Sequence, residues 1–198
     1  GTAEWLTEHF PHNPLLAGVT SCGALKTDAR HIKHTGSGET WLGALNAAGE
    51  QWQTLVSPLA DALGHAAWSE QIQERQWQKL VVNAVINPLS AVYNQPNGVL
   101  LQHQDDIAAL CLELQPLLLK QGLTKTANEW RELVLQVVDR TAQNYSSMQQ
   151  DLANQRRTEI DYITGYLLQQ AEQNGLELPR HRALYLKIKA LESQFVTV

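Results

Sequence analysis

The sequence is poor in cysteine, in methionine and in excess positive charge. Its 198 residues contain 2 Cys and 1 Met, and 15 Lys plus Arg face 20 Asp plus Glu, for a net charge of −5. A chain with this balance offers no basic stripe for a phosphate backbone to follow, so nucleic acid is not an expected partner. Cys22 and Cys111 stand far apart, and no Cys or His cluster has zinc-ligand spacing. We therefore expect a reducing compartment and no structural metal. No apolar run reaches the ~18 to 20 residues that a membrane-spanning helix needs, and the N-terminus lacks the charged and apolar regions of a signal peptide. No membrane partner and a cytoplasmic location are the resulting expectations. The chain opens at Gly1-Thr2 without methionine, which suggests that an upstream segment has been removed or is not shown.

With 43% apolar residues, the chain can bury a full core. Its first 70 or so residues mix short β-like runs with turn signals. LLAGVTSCGA (Leu15 to Ala24) reads as a strand, Gly36-Ser37-Gly38 as a hairpin turn, WQTLVSPLADAL as a helix, and the brief AAW run after His65 as a strand. From about Glu70 the apolar residues repeat at helical spacing. Ile107, Leu110, Cys111, Leu114, Leu117 and Leu118 form one stripe; Trp130, Leu133, Val134, Val137 and Val138 a second; Leu184, Ile188, Leu191 and Phe195 a third. Gly122 and Gly175 stand where a helix stop wants a left-handed residue. The second half therefore reads as a helical bundle.

One helix of that bundle carries an unusual polar row. Lys79, Asn83 and Asn87 are spaced i, i+4, i+8 and share one face, while Leu80, Val81, Val82, Ala84, Val85 and Ile86 fill the rest. A helix apolar around most of its circumference is buried, so its polar row must face partner groups or a cavity. Pro88 is expected to end or kink the helix at Asn87 and to free backbone groups there. Asn94 and the Pro96-Asn97-Gly98 turn add further amides. Two readings stay open on these residues: a kinked core helix whose lysine pairs with a carboxylate, and a wall of donors plus one cation for a small anionic, oxygen-rich ligand. Further on, Thr158 and Asp161 fit a capping box with Glu159 in the first helical turn, and Ser146 and Ser147 are of the loop or cap type.

In WQKLVVNAVINPLSAVYNQPNG (77–98) and SSMQQDLANQRRTEIDYITGYLL (146–168) the chain resembles the ketopantoate reductase (2-dehydropantoate 2-reductase) family, in residue type and in spacing. The likeness extends to the LLAGVTSCGA strand and the C-terminal helix. It implies a mainly α protein with a partial α/β region. Residues 1–69 would be the C-terminal remnant of a Rossmann-like NADP-binding domain. Residues 70–198 would be an all-α substrate and catalytic domain of the 6-phosphogluconate dehydrogenase C-terminal type. The implied activity is NADPH-dependent reduction of ketopantoate to pantoate in pantothenate and coenzyme A synthesis. By resemblance, Lys79 is the catalytic lysine that polarises the keto oxygen and supplies a proton. Asn83, Asn87, Asn97 and Ser147 hold the substrate's carboxylate and hydroxyl, Glu159 is a second functional acid near substrate and cofactor ribose, and the backbone at Ala24 touches the cofactor. A lysine among Leu80, Val82 and Ile86 is also expected to be partly desolvated, which eases release of its proton.

The family's dinucleotide seat requires a strand, G-x-G-x-x-G and a helix. Here Gly36-Ser37-Gly38 leads into Glu39, Thr40 and Trp41 instead. The expectation is thus a fragment, inactive alone, whose α/β strands leave a free sheet edge that invites a second copy, so a homodimer stays open. Two other functions remain: a related NADP-dependent reductase of another 2-keto acid, and a non-catalytic helical interaction module in which Lys79 and Glu159 pair.

Overall fold

The computed structural model describes residues 2–195. The chain divides into two compact units, Gly1–Lys79 and Leu80–Val198. The first begins with α1 (Thr2–His9), a helix absent from the sequence reading, in which Trp5 stacks on the ring of His9 at 4.3 Å and no residue is buried. Strands β1 (Leu16–Thr20), β2 (Gly23–Lys26), β3 (Ile32–Gly36) and β4 (Thr40–Ala44) follow. A 3-10 segment over Ala47–Leu55, α2 (Val56–Leu63) and β5 (Ala66–Trp68) complete the α/β part. One sheet has the order β1-β4-β5, with β1 antiparallel and β5 parallel to β4; a second pairs β2 with β3.

Two expectations about this region are corrected. The Leu15 to Ala24 run is not one strand, because the chain breaks at Ser21-Cys22 and its halves join different sheets. Gly36-Ser37-Gly38 is not a hairpin turn but the passage from β3 in one sheet to β4 in the other. The turn lies between β2 and β3, where the Asp28 carboxylate accepts from the amides of Arg30 and His31 at 2.8 and 3.0 Å and stands in for the missing backbone bonds. The predicted helix after Gly49 starts as 3-10, with Trp52 outside helical angles, and becomes α only from Val56.

Helix α3 (Ile72–Tyr93) begins in the first unit. Its start is held by Arg75, whose guanidinium lies 3.4 Å over the Trp41 ring and donates to Ser69 Oγ. Pro88 was expected to end or kink it; α3 does not end there but runs on to Tyr93. Ala84, Val85, Ile86, Leu89 and Ala91 are all buried around the proline, and this packing overrides the local preference of the ring. The stop is Asn94, at φ 52, with Gln95 N–H donating back to the Ser90 carbonyl.

Among the described residues the second unit contains only helices. They are the rest of α3, a 3-10 turn over Asn97–Gln102, α4 (Gln104–Lys120), α5 (Ala127–Arg140), α6 (Ser147–Ala153), α7 (Ile160–Gln173) and α8 (Pro179–Glu192). Helix α4 packs on α5 and α8, and α7 on α8. The α4 stripe is buried at all six expected positions; each such side chain stabilises the fold by about 1.5–3 kcal/mol. Trp130, Val134 and Val138 of the second stripe and Leu184 and Ile188 of the third are buried, with the remaining members partly covered. Gly122 and Gly175 have φ +78 and +67, and the amides after them reach back to Leu118 and Ala171 as the stop motif requires.

Candidate functional site

Asn83 and Asn87 lie one turn apart on α3, within the second unit. Among the described residues neither side-chain amide has a hydrogen-bond partner. Asn87 is 8% exposed, but its amide atoms are not among the sealed unpartnered ones. Both amides are therefore free to bind. One turn on, Ser90 Oγ donates to the Asn87 carbonyl at 3.2 Å and shares a 2.8 Å hydroxyl–hydroxyl bond with Ser146 Oγ, both within the buried interior. Gln149 Nε2 donates to Asn94 Oδ1 at 2.8 Å, and Asn97 Nδ2 donates to Thr141 Oγ1 at 3.0 Å. The amides of Asn97 and Gly98 donate to the carbonyls of Asn144 and Ala142. These bonds tie the last turns of α3, the 94–98 loop and the N-terminus of α6 into one polar cluster.

Ser147 is the first residue of α6, exposed and without a side-chain bond among the described residues; Ser146 is the cap, accepting from Gln149 N–H. Through Ser90 and Ser146 the cluster links the backbone at Asn87 to the residue before Ser147, while Asn97 is tied to Thr141 and Asn144. Asn97 differs from the other amides, because its nitrogen is taken by Thr141 and its oxygen is sealed without a partner. The sequence reading gave no role to Ser90, Thr141 or Gln149. Ser90 could have been found as the residue one turn beyond Asn87, whereas nothing local marks Thr141 or Gln149.

Lys79 ends the first unit and is exposed, so the expected desolvation is not found; its ammonium reaches back to donate to the Thr20 carbonyl at 2.8 Å. Ala24 is an exposed residue of β2 opposite His34. Glu159 is also exposed and makes no side-chain bond among the described residues. It stands just before α7, not within its first turn. The expected Thr158–Asp161 capping box is absent as well. Thr158 donates its amide and hydroxyl to Glu192, and Asp161 is held by Tyr185 and Lys189. Among the described residues a reciprocal capping box is formed by Thr126 with Glu129.

Neutral amide and hydroxyl donors beside a helix N-terminus suit a carboxylate and hydroxyl groups. The Gly36–Gly38 backbone, the nearest approach to a glycine-rich loop, leads into a strand and not a helix N-terminus.

A long helix, buried around most of its circumference and carrying one polar row, preceded by a short mixed sheet, is the class this fold defines. The family model for the C-terminal part of ketopantoate reductase PanE/ApbA matches residues 71–192, and that for ketopantoate reductase PanE/ApbA matches residues 1–47. The chain belongs to the ketopantoate reductase family. It is 38% identical over 197 residues to a 2-dehydropantoate 2-reductase of Vibrio cholerae, covering 98% of this chain and 67% of the relative. It is 41% identical over 182 residues to that of Salmonella typhimurium, covering 92% and 60%. This chain thus spans about three fifths to two thirds of the length of these relatives. A solved D-mandelate dehydrogenase in complex with NADH has the same fold at a TM-score of 0.90 and 22% identity, covering 99% of this chain and 68% of that one.

Proposed function

We propose that these residues form the substrate-binding part of an NADPH-dependent 2-dehydropantoate 2-reductase, which makes pantoate for pantothenate and coenzyme A synthesis. In this reading residues 1–69 complete a Rossmann-like cofactor domain and residues 70–198 are the substrate and catalytic domain. The relatives carry the same activity in their names. The observation that carries the reading is the row Lys79, Asn83 and Asn87 on one unbroken helix, with both amides unclaimed.

Reducing a 2-keto acid puts negative charge on the carbonyl oxygen, and a cation held beside it stabilises that charge. Lys79 is the cation in this role. Its bond to the Thr20 carbonyl orients the ammonium without neutralising it, since a carbonyl carries no net charge. Asn83, Asn87, Asn97 and Ser147 would hold the carboxylate and hydroxyl, and Glu159 is the second functional acid. NADPH supplies the hydride when bound, with the Ala24 backbone among its contacts; its pyrophosphate has no seat in the residues described. The substrate is a small molecule, the location cytoplasmic, and a homodimer is the assembly to test by size-exclusion chromatography.

In the complete protein, Lys79→Ala should lower turnover of ketopantoate on the order of 100-fold or more while leaving the melting temperature nearly unchanged. A large fall in melting temperature with turnover retained would favour an interaction module. Turnover of other branched 2-keto acids in preference to ketopantoate would move the assignment within the family.

A further inference from the structure

Glu159 presents a problem of position. An exposed carboxylate with no side-chain bond among the described residues has no direct means of keeping one orientation, yet a functional acid must be held within fractions of an ångström. Its backbone neighbours supply the restraint. On one side, Thr158 is buried at 8% exposure, and Glu192 Oε1 accepts both its amide and its hydroxyl at 2.7 Å. The same hydroxyl oxygen accepts the Ile160 amide at 3.2 Å, so the backbone is fixed before and after Glu159. On the other side, Asp161 accepts from Tyr185 and from Lys189 at 2.7 and 3.0 Å. Lys189 also meets Glu192 at 3.1 Å and closes the network. Tyr185, Lys189 and Glu192 all belong to α8. One helix therefore grips the residues flanking Glu159 and leaves only its side chain unheld.

We infer that Thr158, Glu192, Lys189, Asp161 and Tyr185 form a clamp that positions Glu159 for its role in the reaction, Glu192 and Thr158 being positioning residues. Several short bonds converge on Thr158, whereas the Thr158–Asp161 box expected from sequence would have held the helix start without reference to α8. The inference rests on the reading of Glu159 as a functional acid.

The test is a double-mutant cycle in the complete protein, with kcat, KM and melting temperature measured for Glu159→Gln, Glu192→Ala and the pair. Thr158→Val and Thr158→Ser are added because the first removes the hydroxyl at nearly constant shape and the second restores it. Glu192→Ala should lower kcat/KM by about 10- to 100-fold, as misplacement of a reacting group does. In the Glu159→Gln background it should have little further effect, because both substitutions disable the same group. Thr158→Val should behave like Glu192→Ala, and Thr158→Ser should recover most of the activity. If Glu192→Ala fails to fold, the Thr158→Val cycle decides in its place. Wild-type activity in Glu159→Gln would remove the functional reading, and the clamp with it. Impaired Glu159→Gln with unimpaired Glu192→Ala and Thr158→Val, or losses that multiply in full, would overturn the clamp and leave the reading of Glu159 standing.

Discussion

Glu113 and His181 offer the sharpest test of how the helical unit is held together. Glu113 on α4 accepts three bonds from the first turn of α8: the Arg180 amide at 2.6 Å, the His181 amide at 2.9 Å and His181 Nδ1 at 2.6 Å. The cap position of α8 is Leu178, which has no side chain able to do this. His181 is fully buried, and its Nε2 already lacks a partner. Glu113→Ala therefore removes a helix cap, worth about 1 kcal/mol, and strands a second nitrogen of a buried ring. Losing the ring's bond to a carboxylate costs about 1.5–3 kcal/mol and stranding the buried nitrogen about 1–3 kcal/mol; these overlap with each other and with the cap, so we expect about 3–5 kcal/mol in total. Against a typical stability of about 5–15 kcal/mol this is a large fraction, equivalent to roughly 6–20 °C in melting temperature for a domain of this size.

The pH dependence has a definite sign. Burial pushes the Glu113 carboxyl up, but the His181 ring and the two amides together outweigh it and hold the group below its ordinary range. A depressed carboxyl contributes stability above its unfolded value and loses it as pH falls through the folded value. The gap between wild type and Glu113→Ala should thus narrow as pH falls through the folded value of Glu113. Urea and thermal unfolding of the complete protein at several pH values measure both quantities. A destabilisation below about 1 kcal/mol, or a gap that widens in acid, would refute the assignment of this bond set as the lock between α4 and α8.

The two cysteines should separate cleanly. Burial drives the Cys111 thiol up to about 12, whereas the Thr20 hydroxyl beside Cys22 lowers that thiol in a partly exposed site. Brief alkylation of the native protein followed by peptide mapping should label Cys22 and spare Cys111 until denaturant is added; equal labelling would contradict the burial of α4. The 198-residue chain by itself should bind NADPH weakly and turn over no ketopantoate, because no glycine-rich turn opens a helix among its described residues. Fluorescence titration with NADPH and a turnover assay check this, and saturable micromolar binding would overturn it.

The expected and observed features divide by the distance over which their causes act. The α4 stripe, the stops at Gly122 and Gly175 and the Lys79, Asn83, Asn87 row could all be read directly, since each depends on residues within one or two helical turns. The hairpin assigned to Gly36-Ser37-Gly38 misled because glycine permits a turn without requiring one, while Asp28 supplied the bonds that the true turn needed. The helix did not end at Pro88 because burial on nearly every side outweighed the preference of its own ring.

By itself, then, the sequence determined where helices form, which faces they bury and which polar side chains share a face, because helical periodicity and left-handed stops are properties of neighbouring residues. The tertiary structure decided which of those polar groups are free and which are taken. Lys79 is claimed by Thr20, Asn97 by Thr141, Thr158 by Glu192 and Asp161 by Tyr185 and Lys189, and each partner comes from a distant part of the chain. A hydrogen bond forms between whatever groups the packing brings within about 3 Å, and that proximity is set by how the elements fold together, beyond the reach of any local pattern.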